Sequence, residues 1–294
     1  MNEIEQLYQE YKPLLFSLAY RMLGSVMDAE DIVQDTFITF EKHQDRESIT
    51  NVKSYLCKMT TNRCIDQLRS SVHQKETYVG PWLPEPIVED YGADPAGSYF
   101  MKESISTAYM MLLEQLSEVE RAVFLLREVF QYEYDEISDI VDKNSTNCRQ
   151  IFHRAKKSLG HEPESFQKDS KQLGNIVERF LQALNTGNIS EMLQVLKKDA
   201  TFYSDGGGKV KAAVKPIYTA ERITQFFFGI MQKFPGDYVF HHKMINGFPG
   251  IIVTLEGQVL NVVSFTFEEG KINDIYLVAN PDKLRSLNEH MQLK

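Results

Sequence analysis

The chain has 294 residues and a formal net charge of −9, and 43% of its residues are hydrophobic. This length predicts two or three domains with cores of their own. The acidic balance argues against a protein that binds DNA without a larger partner, because phosphate contacts need basic surface.

Cysteine usage and hydropathy indicate the compartment. Cys57, Cys64 and Cys148 show no metal-ligand spacing, and their odd number fits a reducing environment. No apolar run reaches the roughly 18 residues of a membrane span, and the first residues do not read as a signal peptide. We therefore expect a cytoplasmic protein with no membrane contact, no metal site and no other cofactor.

Prolines and glycines divide the chain into predicted blocks. Helical patterns fill residues 1–75 and resume over residues 106–160. The prolines between them predict an extended linker over residues 76–105, because proline fixes φ and removes a hydrogen-bond donor. A shorter polar linker is predicted over residues 161–171. The last block, residues 171–294, begins with helical patterns and turns to strand patterns.

The first block contains a helix predicted over Asp28–Phe40, in which apolar residues recur at three- and four-residue spacing. Asp28 is placed to cap its first turn. The opposite face is acidic, which is typical either of a solvated surface or of a docking surface for a basic partner. The candidate docking residues are Asp28, Asp31, Gln34 and Asp35.

A second helix is predicted over Val52–Arg69, with a polar ridge whose members step by three or four residues. Lysine, asparagine and arginine on one ridge can reach phosphates and base edges, and tyrosine can stack on an unpaired base. The alternative is an ordinary solvated ridge. The ridge consists of Tyr55, Lys58, Asn62, Asp66 and Arg69.

Two stretches of this block resemble a known family. Residues 28–37 are similar to the polymerase-binding helix of extracytoplasmic-function (ECF) sigma factors, and residues 62–69 are similar to their promoter-melting helix, in the family's order. The resemblance implies that the acidic face meets the β′ clamp of core RNA polymerase. It also implies that the loop His43–Asn51 and the second helix engage the −10 promoter element. The implied −10 residues are Tyr55, Lys58, Asn62, Arg63, Asp66 and Arg69.

The block over residues 106–160 predicts a helix-turn-helix. Ser117–Glu120 is a capping box, Asp142–Asn144 predicts a tight turn, and Ser145 is placed to cap the last helix. That helix bears no acid before Leu159, so its outer face is polar and basic. A three-helix bundle with a basic surface is the alternative.

This block resembles region four of the same family, which implies binding to the −35 promoter element and to the β flap of polymerase. Arginine suits guanine, and asparagine or glutamine suits adenine. The candidate −35 residues are Ser145, Thr146, Asn147, Arg149, Gln150, His153, Arg154 and Lys157.

Helices followed by a strand meander predict an α+β cone for the last block. The pattern resembles the SnoaL-like (NTF2-like) superfamily. Sigma factors fused to such a domain share three motifs that stand here at Trp82–Pro86, Asp205–Lys209 and Asn280–Leu284. Membership of that fused subgroup implies that the extra domain modulates the sigma modules in place of a separate anti-sigma factor.

An exposed tryptophan in a proline-rich linker needs an apolar partner. We therefore expect the tryptophan motif to dock on the glycine-rich turn or on the C-terminal motif. The candidate regulatory contacts are Trp82, Leu83, Pro84, Asp205, Gly206, Gly207, Gly208, Lys209, Asn280, Pro281, Asp282 and Lys283.

The sequence thus predicts a multidomain fold: two all-α modules, the second a helix-turn-helix, followed by an α+β SnoaL-like cone. The predicted function is an alternative sigma factor that binds core polymerase and promoter DNA. One alternative is a helix-turn-helix regulator with a small-molecule or peptide pocket. A SnoaL-type enzyme is another, with Asp205, His241 or His242 as acid or base. No nucleophile–base constellation supports it, so we expect no enzymatic activity.

Overall fold

A computed structural model describes residues 3–88, 106–160 and 170–291. The remaining parts of the two predicted linkers, residues 89–105 and 161–169, lie outside the described residues. The chain divides into two compact units. Of the described residues, the first unit holds 3–77 and 109–160, and the second holds 78–88, 106–108 and 170–291.

Three long helices open the first unit: α1 (Glu3–Leu23), α2 (Val26–Glu41) and α3 (Val52–Glu76), with a 3₁₀ turn at Arg46–Ser48. Their apolar faces meet in a common core that includes Leu18, Val33 and Leu56. This packing positions the polar faces of α2 and α3 outward.

Two details of these helices differ from the sequence-based expectation. Ser25, not Asp28, is the N-cap of α2, and its hydroxyl accepts the Asp28 N–H at 3.2 Å. Helix α3 continues seven residues past Arg69 to Glu76. The prediction stopped early because it followed the polar ridge, whereas no proline or glycine interrupts the chain before Gly80.

Four shorter helices follow, with a π-helical turn at Leu125–Val129: α4 (Thr107–Leu113), α5 (Glu118–Phe124), α6 (Tyr134–Val141) and α7 (Ser145–Leu159). They belong to the first unit from Tyr109 onward. The predicted capping box at Ser117 and Glu120 is confirmed. The turn before α7 is made by Asp142, whose φ of 54° is left-handed.

The cap of α7 differs from the prediction. Asn144 is the N-cap: its backbone is extended, and its side-chain oxygen accepts the Asn147 N–H at 2.7 Å. Ser145 is the first helical residue instead. Both residue types are good caps, so the sequence alone did not separate them.

The two helical groups of the first unit pack against each other. Helix α3 contacts α5 and α6. The Tyr132 hydroxyl donates to the Cys57 sulfur at 3.1 Å, and the Arg121 guanidinium donates to the Met22 carbonyl at 2.6 Å. Both contacts are buried.

The second unit is an α+β domain. Its helices are α8 (Ser170–Thr186), α9 (Ile189–Val195), α10 (Ala220–Lys233) and α11 (Arg285–Met291). Its strands are β1 (Leu196–Asp205), β2 (Ile217–Tyr218), β3 (Val239–Ile245), β4 (Phe248–Leu255), β5 (Gln258–Glu268) and β6 (Lys271–Val278).

These strands form one sheet in the order β2-β1-β6-β5-β4-β3. Strands β1 and β6 are parallel, and every other neighbouring pair is antiparallel. Aromatic side chains from helices and strands, among them Phe180, Phe202, Phe227 and Phe265, form the core between the layers. The predicted fold class, helical modules followed by an α+β domain, is confirmed.

The cap assignment at α7 yields a direct test. We predict that Asn144→Ala lowers the free energy of unfolding by about 1 kcal/mol, because the Asn147 N–H loses its acceptor. The matched control Ser145→Ala changes it by less than about 0.5 kcal/mol. Denaturant unfolding of the full chain, followed by circular dichroism, measures both. A larger loss in Ser145→Ala would contradict the assignment.

Candidate nucleic-acid interface and linker anchor

The acidic face of α2 is open to solvent. Asp31, Gln34 and Asp35 are exposed, and Asp28 is half-buried. Two large apolar side chains that the sequence reasoning did not single out share this helix surface: Met27 and Ile38 are 45% and 48% exposed. Their signal in the sequence is an apolar residue at a position where the helical pattern expects a polar one. Acidic groups beside exposed apolar groups are typical of a docking surface.

The polar ridge of α3 is only partly exposed to solvent. Asp66 and Arg69 are exposed, whereas Lys58 and Asn62 are half-buried. The Tyr55 ring packs beside other rings, with its centroid 6.1 Å from that of Phe40 and 5.7 Å from that of His43. These contacts hold the ridge against α2 and the loop that follows it.

Arg63 lies off this ridge and contacts α2. Its guanidinium donates to the Thr39 hydroxyl at 2.6 Å and lies 3.9 Å from the Asp35 carboxylate. Arg63 therefore links the two helices that carry the predicted polymerase and −10 surfaces.

Arg69 contacts the first residue of helix α5. Its Nε donates to the Glu118 carboxylate at 2.9 Å. This hydrogen bond lowers the pKa of Glu118 below its ordinary value. Arg69 also lies 3.9 Å from Asp66. To reach a phosphate, Arg69 must exchange the Glu118 carboxylate for it.

Helix α7 turns its apolar side, with Cys148, Ile151, Phe152 and Ala155, into the core. The opposite face is exposed at most of the predicted positions. Ser145 and Asn147 are half-buried, and the exposed members are Thr146, Arg149, Gln150, His153, Arg154 and Lys157.

Two neighbours shape the charge of this face. The Arg149 guanidinium lies 5.3 Å from the centroid of the Tyr134 ring, a cation–π distance that restricts its rotamers. Lys156 is turned away to an ion pair with Glu128 at 3.0 Å. The remaining basic groups face solvent, which suits contact with phosphates and base edges.

The second unit contains the linker anchor, which we define as Tyr78, Leu83, Asp205, Gly207 and Lys283. The Asp205 side chain is fully buried and accepts four hydrogen bonds. Its Oδ1 accepts the Tyr78 hydroxyl at 2.6 Å and the Gly207 N–H at 3.0 Å. Its Oδ2 accepts the Leu83 N–H at 2.9 Å and the Lys283 ammonium at 2.7 Å. The carboxylate is therefore saturated.

The ammonium of Lys283 is enclosed by the linker. It donates to the Leu83 carbonyl as well as to Asp205. It also lies 4.1 Å from the Trp82 ring centroid and 5.3 Å from that of Tyr78. Burial, and then the hydrogen bond to Asp205, raise the pKa of the Tyr78 hydroxyl. Tyr78 therefore stays a neutral donor.

The C-terminal motif and the glycine-rich turn contact each other beside the Asp205–Lys283 pair. The Asn280 amide donates to the Tyr78 hydroxyl at 2.9 Å, and its oxygen accepts the Asp282 N–H at 3.1 Å. Gly207 has a φ of 58°, and a Cβ there would overlap the Asn280 amide. The turn therefore requires glycine. At the rim, Lys209 pairs with Asp282.

A second set of hydrogen bonds fixes the linker after the tryptophan motif. The Ile87 N–H donates to the Asn246 side chain at 2.9 Å, and the Asn246 N–H donates to the Ile87 carbonyl at 2.8 Å. Sequence reasoning missed Asn246 and also Tyr78. Pro84 is buried and Pro281 is exposed. The structure thus brings the tryptophan motif together with both motifs on which it was expected to dock.

Comparison with known proteins adds to this geometry. The family model for Sigma-70 region 2 matches residues 7–73, and that for Sigma-70 region 4 matches residues 106–159. The ECF RNA polymerase sigma factor SigJ of Mycobacterium tuberculosis is 29% identical, with 96% of this chain and 92% of that protein covered. The crystal structure of that organism's SigJ matches with a TM-score of 0.76 and 26% identity, over 96% of this chain and 98% of that chain. The chain is an ECF sigma factor.

The resemblance drawn from the sequence, to an ECF sigma factor with a fused SnoaL-like domain, is confirmed. SigM of Bacillus subtilis, another ECF sigma factor, is 26% identical over 53% of this chain and 92% of its own length. The likeness to SigJ, in contrast, extends over nearly all of this sigma factor, including the second unit.

The groups considered for catalysis lie apart in the sigma factor. Asp205 is saturated in the anchor. His241 shares a hydrogen bond with the Thr254 hydroxyl at 3.0 Å, and His242 is exposed. Within residues 3–88, 106–160 and 170–291, no cluster of three metal-ligating side chains is present. In the same ranges, no helix is long and apolar enough to cross a membrane.

The anchor generates a second prediction. Asp205→Asn leaves the Lys283 ammonium buried without its counter-charge, so we expect a loss of about 3–5 kcal/mol in the free energy of unfolding. Asp282→Asn is the matched control: it breaks an exposed pair and costs less than about 1 kcal/mol. Urea unfolding followed by the emission of Trp82, the single tryptophan of the chain, measures both. Equal losses in the two variants would show that burial of the pair is unimportant.

Proposed function

We propose that this sigma factor binds core RNA polymerase through α2, reads the −10 element with α3 and the −35 element with α7, and is controlled by its SnoaL-like domain through the linker anchor. The observation that carries the control step is the saturated, buried Asp205–Lys283 pair closed by linker residues. The proposed location is the cytoplasm, where polymerase and DNA meet.

For polymerase, the proposed partners are the β′ clamp and the β flap. The exposed face of α2 offers Asp31, Gln34 and Asp35 to basic groups, and Met27 and Ile38 provide apolar contact. Such a face suits a basic partner, since complementary charge speeds encounter and apolar contact at the centre adds affinity.

For DNA, the exposed face of α7 supplies direct readout. Arg149 and Gln150 are exposed near the start of the helix, where a recognition helix meets base edges. Arg154 and Lys157 lie further along and suit phosphates. A chain with a net charge of −9 binds promoter DNA weakly alone, so polymerase supplies the remaining affinity.

The linker joins the −10 module to the −35 module, so its docking sets how much chain is free between them. Residues 78–88 belong to the second unit and are held by the anchor and by Asn246. At about 3.3 Å per residue, their release adds up to roughly 36 Å of reach. We propose that the SnoaL-like domain acts by controlling this reach, without catalysing a reaction.

Promoter spacing tests this control step. We predict that Trp82→Ala weakens the anchor and lets the sigma factor accept a wider range of spacings between the two elements, because more chain is free. Run-off transcription with core polymerase, on a promoter series with shortened and lengthened spacers, measures the range. The control is Val79→Ala, an exposed linker residue. An unchanged spacing profile in Trp82→Ala would overturn the proposal.

A separate prediction concerns readout by α7. Arg149→Ala should cost about 1–3 kcal/mol in binding to the cognate −35 element and relax discrimination at one base position. Lys156→Ala, which removes a charge from the same helix but one already paired with Glu128, is the control. Binding of the polymerase holoenzyme to promoters mutated at single −35 positions measures both. Loss of affinity without relaxed discrimination would assign Arg149 to a phosphate instead.

A further inference from the structure

A cavity of about 480 Å³ lies inside the SnoaL-like domain, between helices α8 and α10 and the sheet. This volume falls within the roughly 300–1,000 Å³ of small-molecule sites. Aromatic side chains dominate its walls, for example Phe180, Phe202, Phe227 and Phe240. An apolar, compact molecule therefore fits the body of the cavity.

The polar lining is sparse and has one sign of charge. Lys211 is the charged residue of the wall, and no acidic residue lines the cavity within the described part of the chain. Ser204 and Asn261 add neutral hydrogen-bonding groups. Lys211 is exposed, so its ammonium is accessible to a ligand at the mouth of the cavity. A lysine beside an apolar cavity favours a ligand with an anionic head.

The cavity shares its wall with the linker anchor. On β1, Ser204 lines the cavity while the next residue, Asp205, holds the linker, because neighbouring side chains of a strand point to opposite faces. After β6, Ala279 lines the cavity and Asn280 contacts Tyr78.

The loop after β1 also contacts both the anchor and the cavity. Near its start, the Gly207 N–H donates to the Asp205 carboxylate, and Lys209 pairs with the Asp282 carboxylate. Its next residues, 210–212, line the cavity. Three separate chain segments therefore contribute both to the wall of the cavity and to the contacts around the anchor.

We propose that this cavity binds an aromatic or alicyclic organic acid, with the acid group at Lys211, and that the bound acid strengthens the hold of the anchor on the linker. A ligand that fits only the assembled wall stabilises that state by mass action. This inference rests on the proposed function, in which the anchor controls the reach between the DNA-reading modules.

Anilinonaphthalene sulfonate is a suitable probe, since it joins an aromatic body to an anionic group. Trp82 is the single tryptophan, so energy transfer from tryptophan to the probe reports binding near the anchor. With the full chain, we expect sensitised probe emission that saturates at one probe per chain. Trp82→Phe should abolish the transfer while leaving direct probe emission.

Charge variants test the site. Lys211→Glu should weaken probe binding roughly tenfold, since it places a like charge at the head group. Lys215→Glu, an exposed lysine of the same loop outside the cavity wall, is the matched control and should change it less than about twofold. Equal effects of the two variants, or binding with several probes per chain, would overturn the site.

Hydrogen exchange tests the coupling. The Leu83 N–H donates to Asp205, so its exchange rate reports opening of the anchor. Saturating probe should slow exchange across residues 78–88 in the unmodified chain and not in Lys211→Glu. Unchanged exchange with the cavity occupied would overturn the coupling. The promoter-spacing profile of Trp82→Ala is independent of any ligand, so it separates failure of this inference from failure of the proposed function.

Discussion

The carboxylate of Asp205 and the ammonium of Lys283 lie 2.7 Å apart, and Asp205 is completely buried. Desolvating two charges costs several kcal/mol for each ion, so such a pair persists only where further hydrogen bonds satisfy both groups. Tyr78 and Leu83 of the linker supply these bonds, together with the turn at Gly207. The cone domain alone would leave the carboxylate with two of its four donors. Docking of the linker is therefore part of how this domain satisfies its own interior.

The net charge of the chain combines two helix faces of opposite charge. A net charge of −9 averages over an acidic face on α2 and a basic face on α7. The basic face carries Arg149, Arg154 and Lys157, whereas the acidic face carries Asp31 and Asp35. An average charge of one sign therefore does not exclude contact with a polyanion, provided that the opposite charge is gathered on one helix.

Local patterns predicted most of the elements, since helical and strand periodicity depend on near neighbours. The capping box at Ser117 is an example. The caps of α2 and α7 were wrongly assigned to Asp28 and Ser145, because nearby residues of similar propensity compete and only backbone geometry decides between them. Tyr78 and Asn246 could not be found, because their partners lie more than a hundred residues away in the chain. The three motifs were recognised by resemblance, whereas the four bonds to Asp205 emerged only from the fold.

The packing of the two helical groups in the first unit has a geometric consequence for promoter recognition. Arg69 is hydrogen-bonded to Glu118, and Tyr132 is hydrogen-bonded to Cys57. The surfaces proposed for the −10 and −35 elements therefore belong to one packed body. On B-form DNA those elements are separated by about 25 base pairs, or roughly 85 Å at about 3.4 Å per base pair. Helices in side-chain contact cannot span that distance. Under the proposed function, engagement of both elements therefore requires these contacts to break and the chain between them to extend along the duplex.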